Sequence, residues 1–216
     1  MQDPEQLRQG MVEQQIRRRG ISDPKVLQAM MRVPRHEFIP SSFGHRAYDD
    51  EPVPLPCLQT VSQPYMVAAM AAALKLTGNE TVLEIGAGSG YAAAVLSELS
   101  RHVYTIERQH ELVELARDNL LRTGYNSRVT VVEGDGTLGY ETAAPYDAIS
   151  VAAGAPGVPE RLIEQLIPDG GRLVIPVGDE RTQQLRLIRR SPDHMETEVL
   201  NQCRFVPLRG ACGWKM

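Results

Sequence analysis

A glycine-rich loop bordered by acidic residues is the feature of this sequence best suited to chemistry. The run Glu-Ile-Gly-Ala-Gly-Ser-Gly fills residues 84–90, after the apolar segment 81–85 and before a helical pattern that begins at Tyr91. Glycines at a strand-to-helix turn let the backbone approach a ligand closely, although they also occur in turns that bind nothing. Loops that bind dinucleotides carry glycine or alanine at the position of Tyr91. Here Glu84 precedes the first glycine, and a carboxylate suits a ligand ammonium group.

Two further acidic positions follow the next two apolar segments. Glu107 ends the segment 103–107, about 20 residues after the first glycine of the loop, where an acid accepts hydrogen bonds from ribose hydroxyls. Asp135 lies in the run Gly-Asp-Gly at residues 134–136, which is also good turn chemistry. Because the carboxyl ends of adjacent parallel strands meet at one edge of a sheet, we expect these acids and the glycine loop to form one ligand site.

The pattern acid-x-Gly-x-Gly-x-Gly resembles motif I of S-adenosylmethionine-dependent methyltransferases. In such enzymes an acid after the third strand commonly contacts the adenine amino group. The resemblance therefore implies S-adenosyl-L-methionine as the cofactor and S-adenosyl-L-homocysteine as the product left after methyl transfer. It assigns cofactor binding to Glu84, Gly86, Ala87, Gly88, Glu107, Arg108, Asp135 and Gly136.

Segments outside the glycine loop are more specific. Residues 33–40 read Val-Pro-Arg-His-Glu-Phe-Ile-Pro, residues 60–67 read Thr-Val-Ser-Gln-Pro-Tyr-Met-Val, and residues 204–208 read Arg-Phe-Val-Pro-Leu. In this order, and together with the glycine loop, they resemble the protein-L-isoaspartate (D-aspartate) O-methyltransferase family over almost the whole chain. The first two segments are similar to the family's N-terminal signature and its active-site segment.

The resemblance implies an activity and a set of substrate-side residues. The protein would transfer a methyl group from S-adenosylmethionine to the α-carboxylate of L-isoaspartyl residues in damaged proteins and peptides, which initiates their repair. By position, Ser62 is the family's active-site serine, and Thr60, Gln63 and Gln184 bind the substrate. We interpret Ser62 as a hydrogen-bond donor that orients the substrate carboxylate. The alternative is that Ser62 caps a helix predicted from about Pro64, and the two roles are compatible.

Such a reaction needs little acid–base chemistry. A substrate carboxyl with a pKa near ~4 is already ionised at neutral pH, so no general base is required. The enzyme has to position the carboxylate, exclude water and align the reacting atoms. This expectation agrees with a sequence in which no Ser-His-Asp grouping is recognisable.

Strand and helix patterns alternate through the middle of the chain. Strands are predicted at residues 81–85, 103–107, 129–132, 146–151, 171–176, 184–189 and 198–206, and helices at 65–76, 91–99, 110–122 and 159–166. This alternation is typical of an α/β fold with a doubly wound, mostly parallel sheet. The resemblance makes it a Rossmann-like class I methyltransferase fold with an N-terminal helical extension.

We expect one methyltransferase domain over residues 1–216. It consists of an N-terminal helical and loop extension at 1–62, a cofactor-binding core at 63–190, and a C-terminal strand and tail at 191–216. In the extension, Asp23 followed by proline predicts the start of a helix. The proline-rich stretch 33–64 predicts an ordered loop, since so many prolines exclude a central helix or strand.

Composition limits the partners. The net charge is −4 and aromatic residues make up 5% of the chain, so we expect no nucleic-acid partner. No apolar run reaches the roughly 20 residues that span a bilayer, and no Cys/His pairs have the spacing of metal ligands, so we expect neither a membrane nor a metal partner. Cys57, Cys203 and Cys212 are expected to be free thiols in a cytoplasmic monomer.

Two alternatives stay open. Where the family has a glycine-rich approach to the Gln-Thr-x-Ser segment, this chain has Pro56, Cys57 and Leu58, so a methyltransferase of the same fold acting on another peptide or small-molecule carboxylate remains possible. A protein that senses S-adenosylmethionine without catalysis is a different class. The presence of Ser62, Glu84 and the substrate-side segments argues against a sensor, and a methyl-transfer assay separates the two classes.

Overall fold

A seven-stranded sheet organises the protein, whose computed structural model describes residues 3–215. A two-stranded hairpin, β1 (Val53–Pro54) and β2 (Thr60–Val61), precedes it in the chain. The strands of the sheet are β3 (Thr81–Ile85), β4 (His102–Glu107), β5 (Val129–Glu133), β6 (Ala148–Val151), β7 (Gly171–Gly178), β8 (Gln183–Arg190) and β9 (Met195–Cys203). The strand order in the sheet is β5-β4-β3-β6-β7-β8-β9. Strands β3 to β7 pair in parallel, and β8 and β9 extend the sheet as an antiparallel edge.

The strand order explains where a ligand can bind. The chain runs outward from β3 to β4 and β5, then returns to the other side of β3 with β6 and β7. At such a reversal the loops that follow the two neighbouring central strands separate and leave a crevice at their carboxyl ends. The predicted doubly wound, mostly parallel sheet is confirmed, and the crevice lies beside the glycine loop that follows β3.

Among residues 3–215, six α-helices surround the sheet or precede it. They are α1 (Pro4–Gly10), α2 (Pro24–Arg32), α3 (Pro64–Leu74), α4 (Tyr91–Ser97), α5 (His110–Arg122) and α6 (Glu160–Glu164). The α2 helix begins as predicted, because the Asp23 side chain accepts hydrogen bonds from the backbone N–H groups of Lys25 and Val26. Within the described residues no helix is long and apolar enough to cross a membrane.

The core lies on both faces of the sheet. Val82, Val103 and Ala148 face one side and pack with the N-terminal helices, α3 and α4. Leu83, Ile106 and Ile149 alternate with them and face the other side, in a second buried cluster. This alternation is the two-residue period of strands that are covered on both faces.

The proline-rich stretch is ordered, as predicted, and holds no long element. It contains short 3-10 turns at Arg35–Phe38 and Ser41–Arg46, and a left-handed turn at Pro56–Leu58 around which the β1–β2 hairpin forms. Each prolyl residue lacks an N–H donor, so a longer strand or helix would lose its hydrogen bonds here.

Several predicted boundaries were wrong by two or three residues, and for two elements the tertiary structure gives the reason. The last strand is Met195–Cys203 and not 198–206, because the chain leaves the sheet after Cys203 and crosses to the ligand crevice. The helix α6 is shorter than the predicted 159–166, since the chain turns after Gln165 and pairs Tyr146 with Leu166. Both errors occur where contacts distant in sequence decide the backbone path.

Candidate active site

A pocket opens at the carboxyl ends of β3, β4 and β6. Including its mouth, it has a volume of about 970 Å³. Its walls are residues 85–89 of the glycine loop, residues 106–109 after β4, residues 59–62 around β2, and residues 206–209 near the C-terminus. The pocket therefore joins the segments that the sequence separates into a cofactor group and a substrate group.

The glycine loop has the backbone shape that only glycine adopts easily. Gly86, Gly88 and Gly90 have φ angles of 94°, 53° and 85°. A Cβ atom at Gly90 would also lie 3.1 Å from the Cγ atom of Leu120, so this turn is closed against α5. At these glycine positions the loop presents bare backbone to whatever occupies the pocket.

Ser89 is a pocket residue that the sequence interpretation missed. Its side chain is only 2% exposed, it lines the pocket, and no partner for its hydroxyl is present among residues 3–215. A buried hydroxyl without a partner is costly, so a bound polar ligand would satisfy it. The signal available in the sequence was its position between two glycines of the loop, where a small polar side chain lies against the ligand.

Glu107 faces the glycine loop from the end of β4. Its carboxylate accepts hydrogen bonds from the backbone N–H groups of Gly88 at 3.1 Å, Arg108 at 2.8 Å and Gln109 at 3.1 Å. The side chain is 7% exposed and lines the pocket. These bonds fix the carboxylate in place, while its remaining lone pairs can accept hydrogen bonds from ligand hydroxyls.

Glu84 lies beneath the loop and is not among the residues that line the pocket. It is 1% exposed and accepts a hydrogen bond of 2.5 Å from the hydroxyl of Thr105. Burial, together with the nearby charge of Glu107, raises the pKa of Glu84 to about 8. A cation brought close to this carboxyl would favour its ionised form. The contact of Glu84 with a ligand ammonium group stays a prediction.

Asp135 is held by hydrogen bonds within the chain, and its predicted contact with the adenine amino group stays a prediction. Its Oδ1 atom accepts hydrogen bonds from the Thr137 N–H at 2.9 Å and hydroxyl at 2.7 Å, and its Oδ2 atom accepts one from the Ala211 N–H at 2.7 Å. Partial burial raises the pKa of Asp135, but the hydrogen bonds from Ala211 and Thr137 outweigh it and hold that pKa below its usual value. Asp135 is absent from the pocket wall, whereas its neighbour Gly136 lies in it.

The bond to Ala211 fastens a segment that we call the C-terminal hook, residues 206–215. The hook crosses Gly154, whose carbonyl accepts hydrogen bonds from the Leu208 N–H at 2.8 Å and the Trp214 indole N–H at 3.0 Å. Thr137 also accepts one from the Cys212 N–H at 3.0 Å. The hook is thus clamped at both ends over the pocket wall that it forms.

Of the predicted substrate residues, Thr60 and Ser62 line the pocket and Gln63 and Gln184 do not. Ser62 is half-buried, and in the described part of the chain its hydroxyl makes no hydrogen bond. The helix α3 has Gln63 at its N-cap without a side-chain hydrogen bond, so a capping role for Ser62 is not found. The Ser62 hydroxyl is therefore free to donate into the pocket.

Gln184 lies on β8, where its side-chain oxygen accepts a hydrogen bond of 3.1 Å from Arg186. The buried residue beside it, Gln183, reaches the site indirectly. Its side-chain oxygen accepts a hydrogen bond of 2.8 Å from the Phe205 N–H, and its amide donates to the carbonyl of Asp179. Gln183 thus fixes the segment that leads into the C-terminal hook. The signal that could have identified Gln183 was its position on the inward-facing side of β8.

The described residues offer no group of three or more His, Cys, Asp or Glu side chains that could hold a metal ion. The cysteines Cys57, Cys203 and Cys212 are unpaired, as predicted. The arrangement can hold a ligand by hydrogen bonds and burial, with two free hydroxyls, those of Ser62 and Ser89, and the anchored carboxylate of Glu107 in the pocket wall.

Comparison with known proteins identifies the family. The family model for protein-L-isoaspartate(D-aspartate) O-methyltransferase matches residues 6–212. A protein-L-isoaspartate O-methyltransferase of Herpetosiphon aurantiacus is 50% identical over 98% of this chain and 93% of its own length. A second one from Marinobacter nauticus is 54% identical over 99% of this chain and 97% of its own length.

Solved structures agree with the sequence relatives. A structure of a protein-L-isoaspartate O-methyltransferase is 30% identical and superposes with a TM-score of 0.82, covering 98% of this chain and 67% of that chain. A Plasmodium falciparum structure described as a putative enzyme of the same activity, in complex with S-adenosyl-L-homocysteine, is 25% identical with a TM-score of 0.80, covering 97% and 99%. The chain described here belongs to the protein-L-isoaspartate(D-aspartate) O-methyltransferase family.

Proposed function

We propose that this protein transfers a methyl group from S-adenosyl-L-methionine to the α-carboxylate of L-isoaspartyl residues in damaged proteins and peptides. The observation that carries the proposal is the family match over residues 6–212, which includes both the glycine loop and the Ser62 segment. The pocket supports it, because both segments line one cavity.

The pocket residues fit an S-adenosyl group. The glycine loop allows close approach, and Ser89 has a buried hydroxyl without a partner. Glu107 offers acceptor lone pairs for ribose hydroxyls, and Ile85 and Ile106 supply apolar surface for a base. When bound, S-adenosylmethionine supplies a methyl group on a positively charged sulfur, which becomes a neutral thioether after transfer.

Ser62 and Thr60 carry the substrate side of the proposal. The substrate carboxylate is ionised at neutral pH and supplies the electron pair for the new oxygen–carbon bond, so no residue has to remove a proton. The Ser62 hydroxyl donates a hydrogen bond to one carboxylate oxygen and leaves the other free to react. The C-terminal hook, which also lines the pocket, limits water, and this strengthens these interactions.

Recognition of isoaspartate rests on the backbone of the substrate. Aspartyl and isoaspartyl residues both carry a carboxylate, but isoaspartate adds a methylene to the main chain and displaces every peptide group beyond it. A pocket bounded by the β1–β2 hairpin and the C-terminal hook can pair with an extended peptide in only one of these spacings. The wrong isomer leaves buried polar groups unpaired, which is a strong source of selectivity.

Two synthetic peptides that differ only in isoaspartate against aspartate test the proposal. With labelled S-adenosylmethionine, we expect methyl incorporation into the isoaspartyl peptide and none into its aspartyl twin. Equal incorporation into both would refute isoaspartate recognition. Methylation of neither peptide, with activity on a small carboxylate, would instead favour the alternative of a same-fold enzyme with another substrate.

A further inference from the structure

The tip of the β1–β2 hairpin has an unusual backbone. The Gln59 N–H donates to the carbonyl of Pro56 at 3.2 Å, so Cys57 and Leu58 occupy the two central positions of a tight turn. Both have φ angles of 57°, and positive φ at both central positions is the mark of a type I′ turn. That turn normally carries Asn-Gly or Asp-Gly, because other side chains are strained in the left-handed region. Among residues 3–215 only three non-glycine residues have positive φ, and two of them are here.

Leu58 gains nothing from the fold in return for this strain. Its side chain is 95% exposed, the largest fraction among the exposed large apolar side chains of the described residues. By contrast Leu55, at the base of the same turn, is buried, and its Cδ1 atom would lie 3.4 Å from a Cβ atom at Gly88. The hairpin thus packs on the glycine loop through Leu55, while Leu58 points to solvent. Strain that the fold itself does not use is most often kept for function.

The tip is also held in a fixed place beside the pocket. The Cys57 thiol lies 3.5 Å from the carboxylate of Glu111 on α5, and the Gln59 side chain donates to the carbonyl of Cys57 at 3.1 Å. The next residues, Gln59 to Ser62, form the substrate wall of the pocket. Leu58 therefore projects into solvent from the residue that directly precedes this wall.

We propose that Leu58 determines sequence specificity by contacting the side chain adjacent to the isoaspartyl residue, so that the enzyme prefers substrates with a large apolar neighbour on that side. This inference rests on the proposed function. The departure at Pro56, Cys57 and Leu58 then changes which damaged sites are methylated, without changing the reaction.

The test uses isoaspartyl peptides with alanine or leucine on either side of the isoaspartate. Burial of roughly 40 Å² of apolar surface against Leu58 corresponds to about a fivefold preference in kcat/KM for leucine over alanine, on one side only. In Leu58→Gly, which suits the turn, and in Leu58→Asn, which suits it and is polar, this ratio should fall to near one. Leu58→Met should keep most of it. Leu121→Ala is the control. It removes an exposed leucine at a different place, on α5, and should leave the ratio unchanged.

The possible results separate the inference from the proposed function. If wild-type protein methylates leucine- and alanine-flanked peptides equally, or if Leu58→Gly keeps the wild-type ratio, Leu58 is not a specificity residue and isoaspartyl methylation still stands. If no isoaspartyl peptide is methylated, the proposed function fails and the inference fails with it. Thermal melting of each variant checks folding, and Leu58→Gly should melt no lower than wild type, because glycine relieves the strain.

Discussion

The two walls of the pocket that we propose for the cofactor and for the substrate are built by different means. The cofactor wall, residues 85–89 and 106–109, consists of loops that directly follow β3 and β4, and the backbone bond from Gly86 to Ile106 ties them together. The substrate wall, residues 59–62 and 206–209, joins a hairpin near the N-terminus to a hook near the C-terminus. Regular strands place the first, and individual side chains such as Gln183 and Asp135 hold the second.

Because of this difference, the two walls are not equally free to change their shape. A loop fixed by a parallel sheet has little freedom, because a change in it disturbs neighbouring strands that are buried on both faces. A wall held by a few side-chain hydrogen bonds can change its shape locally while the sheet stays intact. Specificity for the substrate is therefore easier to alter than specificity for the cofactor, and the strained turn at Cys57 and Leu58 lies on the variable wall.

The largest effect should come from removing the charge on the cofactor wall. In Glu107→Ala we expect affinity for S-adenosyl-L-homocysteine to fall roughly tenfold to hundredfold, because charged hydrogen bonds to ribose are lost and Gly88 loses its acceptor. Titration calorimetry measures this. Glu133→Ala is the matched control, since Glu133 ends the neighbouring strand in register with Glu107 but pairs with His110. Equal affinities for Glu107→Ala and wild type would remove Glu107 from the site.

The substrate wall should respond in turnover and leave cofactor binding intact. Ser62→Ala removes one hydrogen bond to a charged carboxylate, so we expect kcat/KM for an isoaspartyl peptide to fall about tenfold or more. Affinity for S-adenosyl-L-homocysteine should stay within about twofold of wild type, well under the tenfold change that corresponds to about 1.4 kcal/mol. Ser42→Ala, an exposed serine in the Ser41–Arg46 turn, is the control. Normal turnover in Ser62→Ala would show that Ser62 does not orient the substrate.

The same division explains what the sequence could predict. The strands β3 and β4 and the helix α5 were predicted within one residue of their ends, because apolar periodicity and glycine turns are local signals. Family motifs gave Ser62, Glu107 and the glycine loop as pocket residues, and the structure brings all three to one cavity.

Contacts between distant segments could not be predicted from the sequence. The hook is fixed by Gly154 and Thr137, which lie more than fifty residues before it in the chain. No local sequence pattern predicts such a contact. The left-handed conformation of Leu58 was equally hidden, because a leucine is among the residues least expected there. The burial of Glu84 under the loop depends on the neighbouring Thr105, which belongs to the next strand.

Asp135 bonds the C-terminal hook from the loop after β5, and it gives the smallest expected effect and the clearest distinction between the two walls. Motif I assigns it to adenine, whereas in the structure both of its oxygens are used by Thr137 and Ala211. Asparagine has only one acceptor oxygen, so Asp135→Asn can keep one of these partners but not both. The hook should loosen, and affinity for S-adenosyl-L-homocysteine should change less than about twofold, well under the tenfold expected for 1.4 kcal/mol.

Trp214 reports on the hook, because it is the single tryptophan of the chain and donates from its indole to Gly154. In Asp135→Asn we expect its emission to shift to longer wavelength and its quenching by acrylamide to increase, as the indole becomes more exposed. Thr137→Val is the matched variant, since Thr137 is fully buried and bonds both Asp135 and Cys212. It should reproduce the fluorescence change. A tenfold loss of cofactor affinity in Asp135→Asn, with the Trp214 emission of wild type, would return Asp135 to the cofactor wall.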